Sequence, residues 1–158
     1  MGQVTIRQAR RDEATVLSAL CKRSKAHWGY DATFMRLSDA SLTISPALIE
    51  TGRVLVAQSA RDTPLGVASL QPLQEGVWDL LHMFVAPQAI GTGVGKALFG
   101  EIAELAAAKG ASRLSIQSDP HAEAFYLRMG ARRVGEAPSD AIPGRLLPML
   151  EYELSRKF

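Results

Sequence analysis

Cysteine is almost missing from this sequence. Cys21 stands alone, so an intrachain disulfide and a multi-cysteine metal site are both excluded, and a buried thiol in a reducing compartment is the expected use of it. Net charge is nearly missing too: eighteen Lys and Arg oppose sixteen Asp and Glu, leaving +2. Without a basic stripe that balance argues against a nucleic-acid partner. No apolar run reaches the roughly 20 residues that cross a bilayer, and the start has no signal-peptide pattern, so a cytoplasmic protein without a membrane partner is expected. Repeats, low-complexity tracts and interdomain linkers are also absent. The 158 residues, 47% apolar and 22% charged, fit one globular domain over residues 1–158, able to bury about two thirds of its unfolded surface.

Glycine is where the sequence becomes specific. A short apolar strand, Met83-Phe84-Val85, runs into Pro87, and Gly91, Gly93 and Gly95 then open a helix in which Val94, Leu98, Ile102 and Leu105 recur at three- and four-residue spacing. Gly110 stops that helix. The unpaired N–H groups of a first helical turn and the positive end of the helix dipole favour an anion, and glycines keep side chains out of its way. The stretch reads as a pyrophosphate cradle. A P-loop is excluded because Ile90 and Ala97 stand where Gly and Ser or Thr are needed. A dinucleotide fingerprint is disfavoured by Lys96 in the place of its third small residue.

The remaining elements follow from period and punctuation. Val4–Arg7 alternates as a strand; Asp12 is a helix cap, with Ala14, Val16, Leu17 and Leu20 as the buried stripe. Residues 25–31 concentrate aromatic and titratable side chains in a loop, and Phe34 and Met35 resume a short helix. Ser45-Pro46 starts a helical turn closed by Gly52. Val54–Gln58 and Leu65–Leu70 form a hairpin, and Val77–Val85 is a fourth strand. Arg113–Gln117 is a strand, His121–Met129 a helix ended by Gly130, Arg132–Glu136 a strand, 137–145 a loop and Leu146–Leu154 the last strand. Hairpin and helix-crossed connections together predict a mixed sheet with helices on both faces.

This order, with Val85-x-Pro87 before Gly91-Thr92-Gly93-Val94-Gly95 and Asp119-x-x-Ala122-x-x-Phe125-Tyr126-x-x-x-Gly130-Ala131 about thirty residues on, resembles the GNAT superfamily of acetyl-CoA-dependent N-acetyltransferases over essentially the whole chain. Ile90 stands where that family usually has Gln or Arg, Asp119 where it often has Asn, and Ala131 where it often has Phe. The resemblance implies an α/β (α+β) fold, a twisted, mostly antiparallel sheet of six to seven strands whose fourth and fifth strands splay apart. It implies acetyl-CoA as co-substrate and no metal. Met83, Phe84 and Val85 would pair with the pantetheine arm by strand-edge hydrogen bonds. Ile90, Gly91, Thr92, Gly93, Val94, Gly95 and Lys96 would form the phosphate loop, with Asp119 and Tyr126 completing the cofactor contacts.

Tyr126 matches the family's usual general acid, protonating the departing thiolate. Asp79 and His82 lie on the fourth strand, where the family often places a base. They are three positions apart, so an undistorted strand points them to opposite faces, and His82, which titrates nearest neutrality, is the first choice. His27, Trp28 and Tyr30 would form one wall of the acceptor cleft, and Arg145, able to hold a carboxylate, another. The expected reaction is direct attack of a primary amine of a small molecule or peptide on acetyl-CoA; the alternative is a non-catalytic acyl-CoA sensor. The resemblance also leaves room for a homodimer.

Overall fold

The computed structural model describes residues 4–154. Seven strands and five helices follow one another: β1 (Thr5–Gln8), α1 (Ala14–Ala26), α2 (Ala32–Leu37), α3 (Pro46–Glu50), β2 (Val54–Gln58), β3 (Pro64–Gln74), β4 (Val77–Val85), α4 (Val94–Ala108), β5 (Arg113–Gln117), α5 (Glu123–Met129), β6 (Arg132–Pro138) and β7 (Leu146–Glu153). They build one sheet in the order β1-β2-β3-β4-β5-β7-β6. Every pairing is antiparallel except β4 with β5. That exception follows from the chain path, since a helix-long crossover through α4 lets the next strand run the same way.

The sheet is covered on both sides, which explains why β2 reads as an unbroken apolar run. Leu55 and Ala57 pack with Leu98 and Ile102 of α4, whereas Val54 and Val56 pack with Leu17 and Leu20 of α1. Alternate residues thus enter separate cores.

Four sequence expectations need correction here. Val16 does not belong to the buried stripe; it is half exposed, and the buried line is Leu17, Leu20, Cys21 and Ser24, the set that holds three- and four-residue spacing. Asp12 does not cap α1 either. It lies in a tight turn at Arg11–Glu13; Glu13 holds the N-cap position of α1 without a side-chain bond to that helix, and its carboxylate instead accepts the Arg10 N–H at 2.8 Å and two 2.8 Å bonds from Arg7. In α4 the expected Leu105 is only partly buried, and Phe99, Ala103 and Ala106 fill the core beside Leu98 and Ile102. β3 runs on to Gln74 past the expected end at Leu70; Pro72, which has no N–H to give, is tolerated at a register shift.

Two irregularities of β4 shape the molecule. Its pairing with β5 covers only Val77–Asp79 against Arg113–Ser115, so from Leu80 to Val85 the edge facing β5 carries no strand. Against β3 the register steps by one between Leu80 and His82, leaving Leu81 as an extra residue. Such a bulge bends its strand and turns it away from a neighbour.

Candidate active site

The glycine turn delivers unpaired donors. After Val85 the chain makes a single tight turn at Pro87–Ala89, then passes through Gly91 at φ 80° and Gly93 at φ 91°, left-handed values that glycine adopts without cost. The first helical bond of α4 runs from the Ala97 N–H to the Gly93 carbonyl. The N–H groups of Gly91, Gly93, Val94, Gly95 and Lys96 therefore have no backbone partner among the described residues. Nothing lies within 4 Å of where a Cβ would stand on Gly91 or Gly93, so the space above them is open, while Gly95 packs against Phe125, whose Cε1 would be 3.2 Å from such a Cβ. An extended phosphate fits this concave, donor-lined surface. Thr92 is otherwise employed: its hydroxyl donates to the Ala89 carbonyl, and the Val94 side chain is in the core.

A cavity of about 1060 Å³ joins this turn to the open edge of β4. Met83, Phe84, Val85, Ile90, Gly91, Gly93, Gly95 and Lys96 line it, and so do Asp79, His82, Asp119, Tyr126, Trp28 and Arg145. Residues expected at two sites thus share one continuous space. His27 and Tyr30, expected as wall residues, do not line it; the His27 ring lies edge-on to Trp28 at 5.0 Å.

On β4 the bulge changes what the spacing implied. Asp79 pairs with Gln71 and His82 with Ser69, and since partners share a face and Ser69 and Gln71 are two apart, Asp79 and His82 point the same way. The expectation of opposite faces is overturned by the one inserted residue, Leu81. The two groups nonetheless differ in character. His82 is 5% exposed; its Nδ1 lies 2.7 Å from the Ser69 hydroxyl, and burial lowers its pKa to about 4 against the opposing pull of the Ser41 and Thr43 carbonyls. Asp79 lines the cavity and among the described residues hydrogen-bonds only the Gln71 amide, at 3.4 Å; burial, with a contribution from the Asp140 charge, raises its pKa.

Tyr126 is buried on the first turn of α5, between Phe99 and Phe125, with its phenol pKa raised by burial and by the Asp119 carboxylate. No hydrogen bond engages its hydroxyl among the described residues, and the side chain lines the cavity.

Asp119, just before α5, is the hub of a cluster that sequence reasoning did not assemble. Its Oδ2 accepts from Lys25 Nζ at 2.5 Å and from the Tyr30 hydroxyl at 2.8 Å; its Oδ1 accepts the His121 N–H at 2.8 Å, with His121 Nδ1 at the same distance. Arg145 donates to the Tyr30 oxygen at 2.7 Å and stands 3.6 Å from Asp119. Burial pushes the Asp119 carboxyl upward, but Lys25, the His121 N–H and the Tyr30 hydroxyl together hold it well below the ordinary carboxylate range. Burial, then Asp119, raise the Tyr30 phenol to about 12. The sequence does not single out Lys25 or His121: Lys25 falls in the stretch 25–31 expected to be a loop, whereas α1 runs on to Ala26, and its partner lies 94 positions away.

Among the described residues no group of three or more His, Cys, Asp or Glu is placed to hold a metal ion, and no helix is long and apolar enough to cross a membrane. An acetyltransferase (GNAT) domain model matches residues 32–149, about three quarters of the chain.

The chain belongs to the GNAT acetyltransferase family.

This GNAT chain is therefore an acyltransferase of the acetyl-CoA-using class, and its seven-stranded sheet with parallel β4 and β5 is the family's fold. It superposes on a GCN5-related N-acetyltransferase of Rhodopseudomonas palustris with a TM-score of 0.78 at 23% identity, over 98% of both chains. The PaiA N-acetyltransferase of Thermoplasma acidophilum, solved with coenzyme A, gives 0.75 at 15% identity over 96% of this chain and 99% of that one. YncA of Salmonella typhimurium, solved with acetyl-CoA, gives 0.70 at 18% identity over 99% and 96%. At these identities the likeness is one of fold. No curated protein matches the sequence significantly.

Proposed function

We propose that this GNAT domain, spanning the whole chain, moves the acetyl group of acetyl-CoA to a primary amine of a small molecule or peptide by direct attack. The observation that carries the reading is the continuity of the site: five unpartnered N–H groups from Gly91 to Lys96 lead into the unpaired edge of β4 and end at Tyr126, within one cavity. The N–H groups of the turn hold the pyrophosphate, and the edge at Met83–Val85 orients the pantetheine arm as an added strand. When bound, acetyl-CoA supplies the activated acyl group.

Asp79 accepts the proton that the amine sheds as it attacks. It is the last residue of β4 paired with β5, at the vertex where the strands part, and its raised pKa makes it a stronger base than an ordinary surface carboxylate. His82 is the weaker choice, because its ring is committed to Ser69 and to backbone carbonyls and its pKa of about 4 leaves little proton affinity. Tyr126 keeps its phenol proton throughout the neutral range, so its hydroxyl remains a donor to the departing sulfur. Trp28 and Arg145 face the acceptor side of the cavity.

The test is release of free thiol from acetyl-CoA against a panel of amines, polyamines, amino acids and peptides, with Tyr126→Phe in parallel. Loss of the donor should lower kcat about a hundredfold with the KM for acetyl-CoA little changed. Binding of coenzyme A without turnover of any amine would make the domain a sensor. Full turnover by Tyr126→Phe would return that ring to a packing role.

A further inference from the structure

Arg145 holds a charge that the protein leaves largely unanswered. It lies in the loop between β6 and β7, its side chain only 19% exposed and lining the cavity. Its guanidinium is stacked over Phe34 at 4.8 Å and Tyr30 at 5.1 Å, and those two rings stack on each other at 3.9 Å. One N–H goes to the Tyr30 hydroxyl; no other hydrogen bond of this guanidinium occurs among the described residues.

Asp119 is the single carboxylate within 4 Å of it among the described residues, and at 3.6 Å from the terminal nitrogen it is not hydrogen-bonded to Arg145. Its oxygens are already taken by Lys25, Tyr30 and His121. Two cations, Lys25 and Arg145, thus share one anion, with Lys25 at 2.5 Å and Arg145 farther off at 3.6 Å. A guanidinium that lines a cavity with spare donors and only a shared, non-hydrogen-bonded carboxylate gains from a ligand that completes it. Its planar fork matches a carboxylate in a bidentate pair, and the aromatic stack fixes the fork before any ligand arrives.

The location ties this receptor to the reaction. Asp119 is close enough to Tyr126 to act on its phenol, and Asp140, five residues before Arg145 in the same loop, is close enough to Asp79 to act on its carboxyl. Resting on the acetyl-transfer reading, we propose that the acceptor is an amino acid in the broad sense, an amine that also carries a carboxylate, and that Arg145 receives the carboxylate while the amine meets Asp79.

The experiment compares matched acceptors with the full chain and acetyl-CoA: 3-aminopropionate against propylamine, 4-aminobutyrate against butylamine, and α-amino acids against their amides. The expected result is a preference of tenfold or more in kcat/KM for the acid in at least one pair, carried mainly by KM. Arg145→Gln should collapse that acid-to-neutral ratio towards one, and Arg145→Lys, which keeps the charge and loses the fork, should retain part of it. Neutral amines preferred in every pair, or an undiminished ratio in the Gln variant, would overturn the assignment and leave acetyl transfer standing. Absence of thiol release from both sets while polyamines or peptides are acetylated would overturn the acceptor assignment alone, and absence with every amine of the wider panel would overturn acetyl transfer with it. Should Arg145→Gln fail to fold, the wild-type ratios and the Lys variant decide the matter.

Discussion

Asp79 and His82 face the same side of β4 although they are three positions apart, because Leu81 is bulged out of the ladder between them. That one residue puts a carboxylate and a buried imidazole on the cavity wall, and it falls just past Asp79, where pairing with β5 ends and the edge of β4 is left open.

Asp79→Asn should separate activity from stability. The folded state raises the pKa of Asp79, so its charge costs nothing below the unfolded pKa of about 3.9 and costs progressively more as pH rises through the folded value. The Asn variant should melt higher than wild type at pH 7, with the difference gone below about pH 3. Its kcat/KM should fall about a hundredfold at neutral pH and recover partly at alkaline pH, where free amine is abundant. A variant with wild-type turnover would remove Asp79 from the mechanism.

Deleting Leu81 preserves the facing of every partner pair along β3 and β4, since the inserted residue alone is lost. The deletion variant should fold, with a melting temperature within several degrees of wild type. Coenzyme A affinity, read by titration calorimetry, should drop tenfold or more because the straightened strand closes on β5. Unchanged affinity would show that the splay has another cause.

Gly93→Val tests the turn. Gly93 sits at φ 91° with open space where a side chain would go. The left-handed backbone alone costs an L-residue about 1 kcal/mol, a modest loss of melting temperature. The new side chain stands over the N–H groups of Gly91 to Lys96, so coenzyme A affinity should fall far more than stability. Equal affinity in the folded variant would misplace the phosphate site. Replacement of Ile90, 42% exposed at the rim of the cavity, by Arg should be tolerated and should strengthen binding modestly if a phosphate lies there.

Lys25→Met should make the protein less stable at neutral pH and less sensitive to acid. Asp119 titrates below its unfolded value, so its contribution is fully present above about pH 4 and is lost as pH falls towards the folded pKa. Breaking a largely buried pair of this kind costs about 3 kcal/mol. Urea midpoints between pH 2 and 7 should converge for variant and wild type at the acid end. Parallel curves across the range would mean that Lys25 does not hold the Asp119 charge.

The elements of this protein were legible because each is dictated by near neighbours in the chain. Val54–Gln58 and Val77–Val85 are largely apolar stretches of strand length between turn residues, Arg113–Gln117 alternates polar and apolar, and Gly91 and Gly93 mark a helix start through backbone freedom. The order of motifs carried the fold and the cofactor class. What tertiary structure decided lies where distant segments meet. The Leu81 bulge appears only when β3 sets the register of β4, because a bulged residue has no composition of its own. Val16 and Leu17 are equally apolar; the packing of α1 on the sheet chose one and exposed the other. Lys25, Tyr30, Asp119 and Arg145 come from α1, the loop after it, the loop after β5 and the loop before β7, and nothing in any of those segments announces partners that lie as far as 94 and 115 positions away. Periodicity records which side of an element is buried; it does not record which charges the closed fold brings together, and in this chain those charges line the cavity.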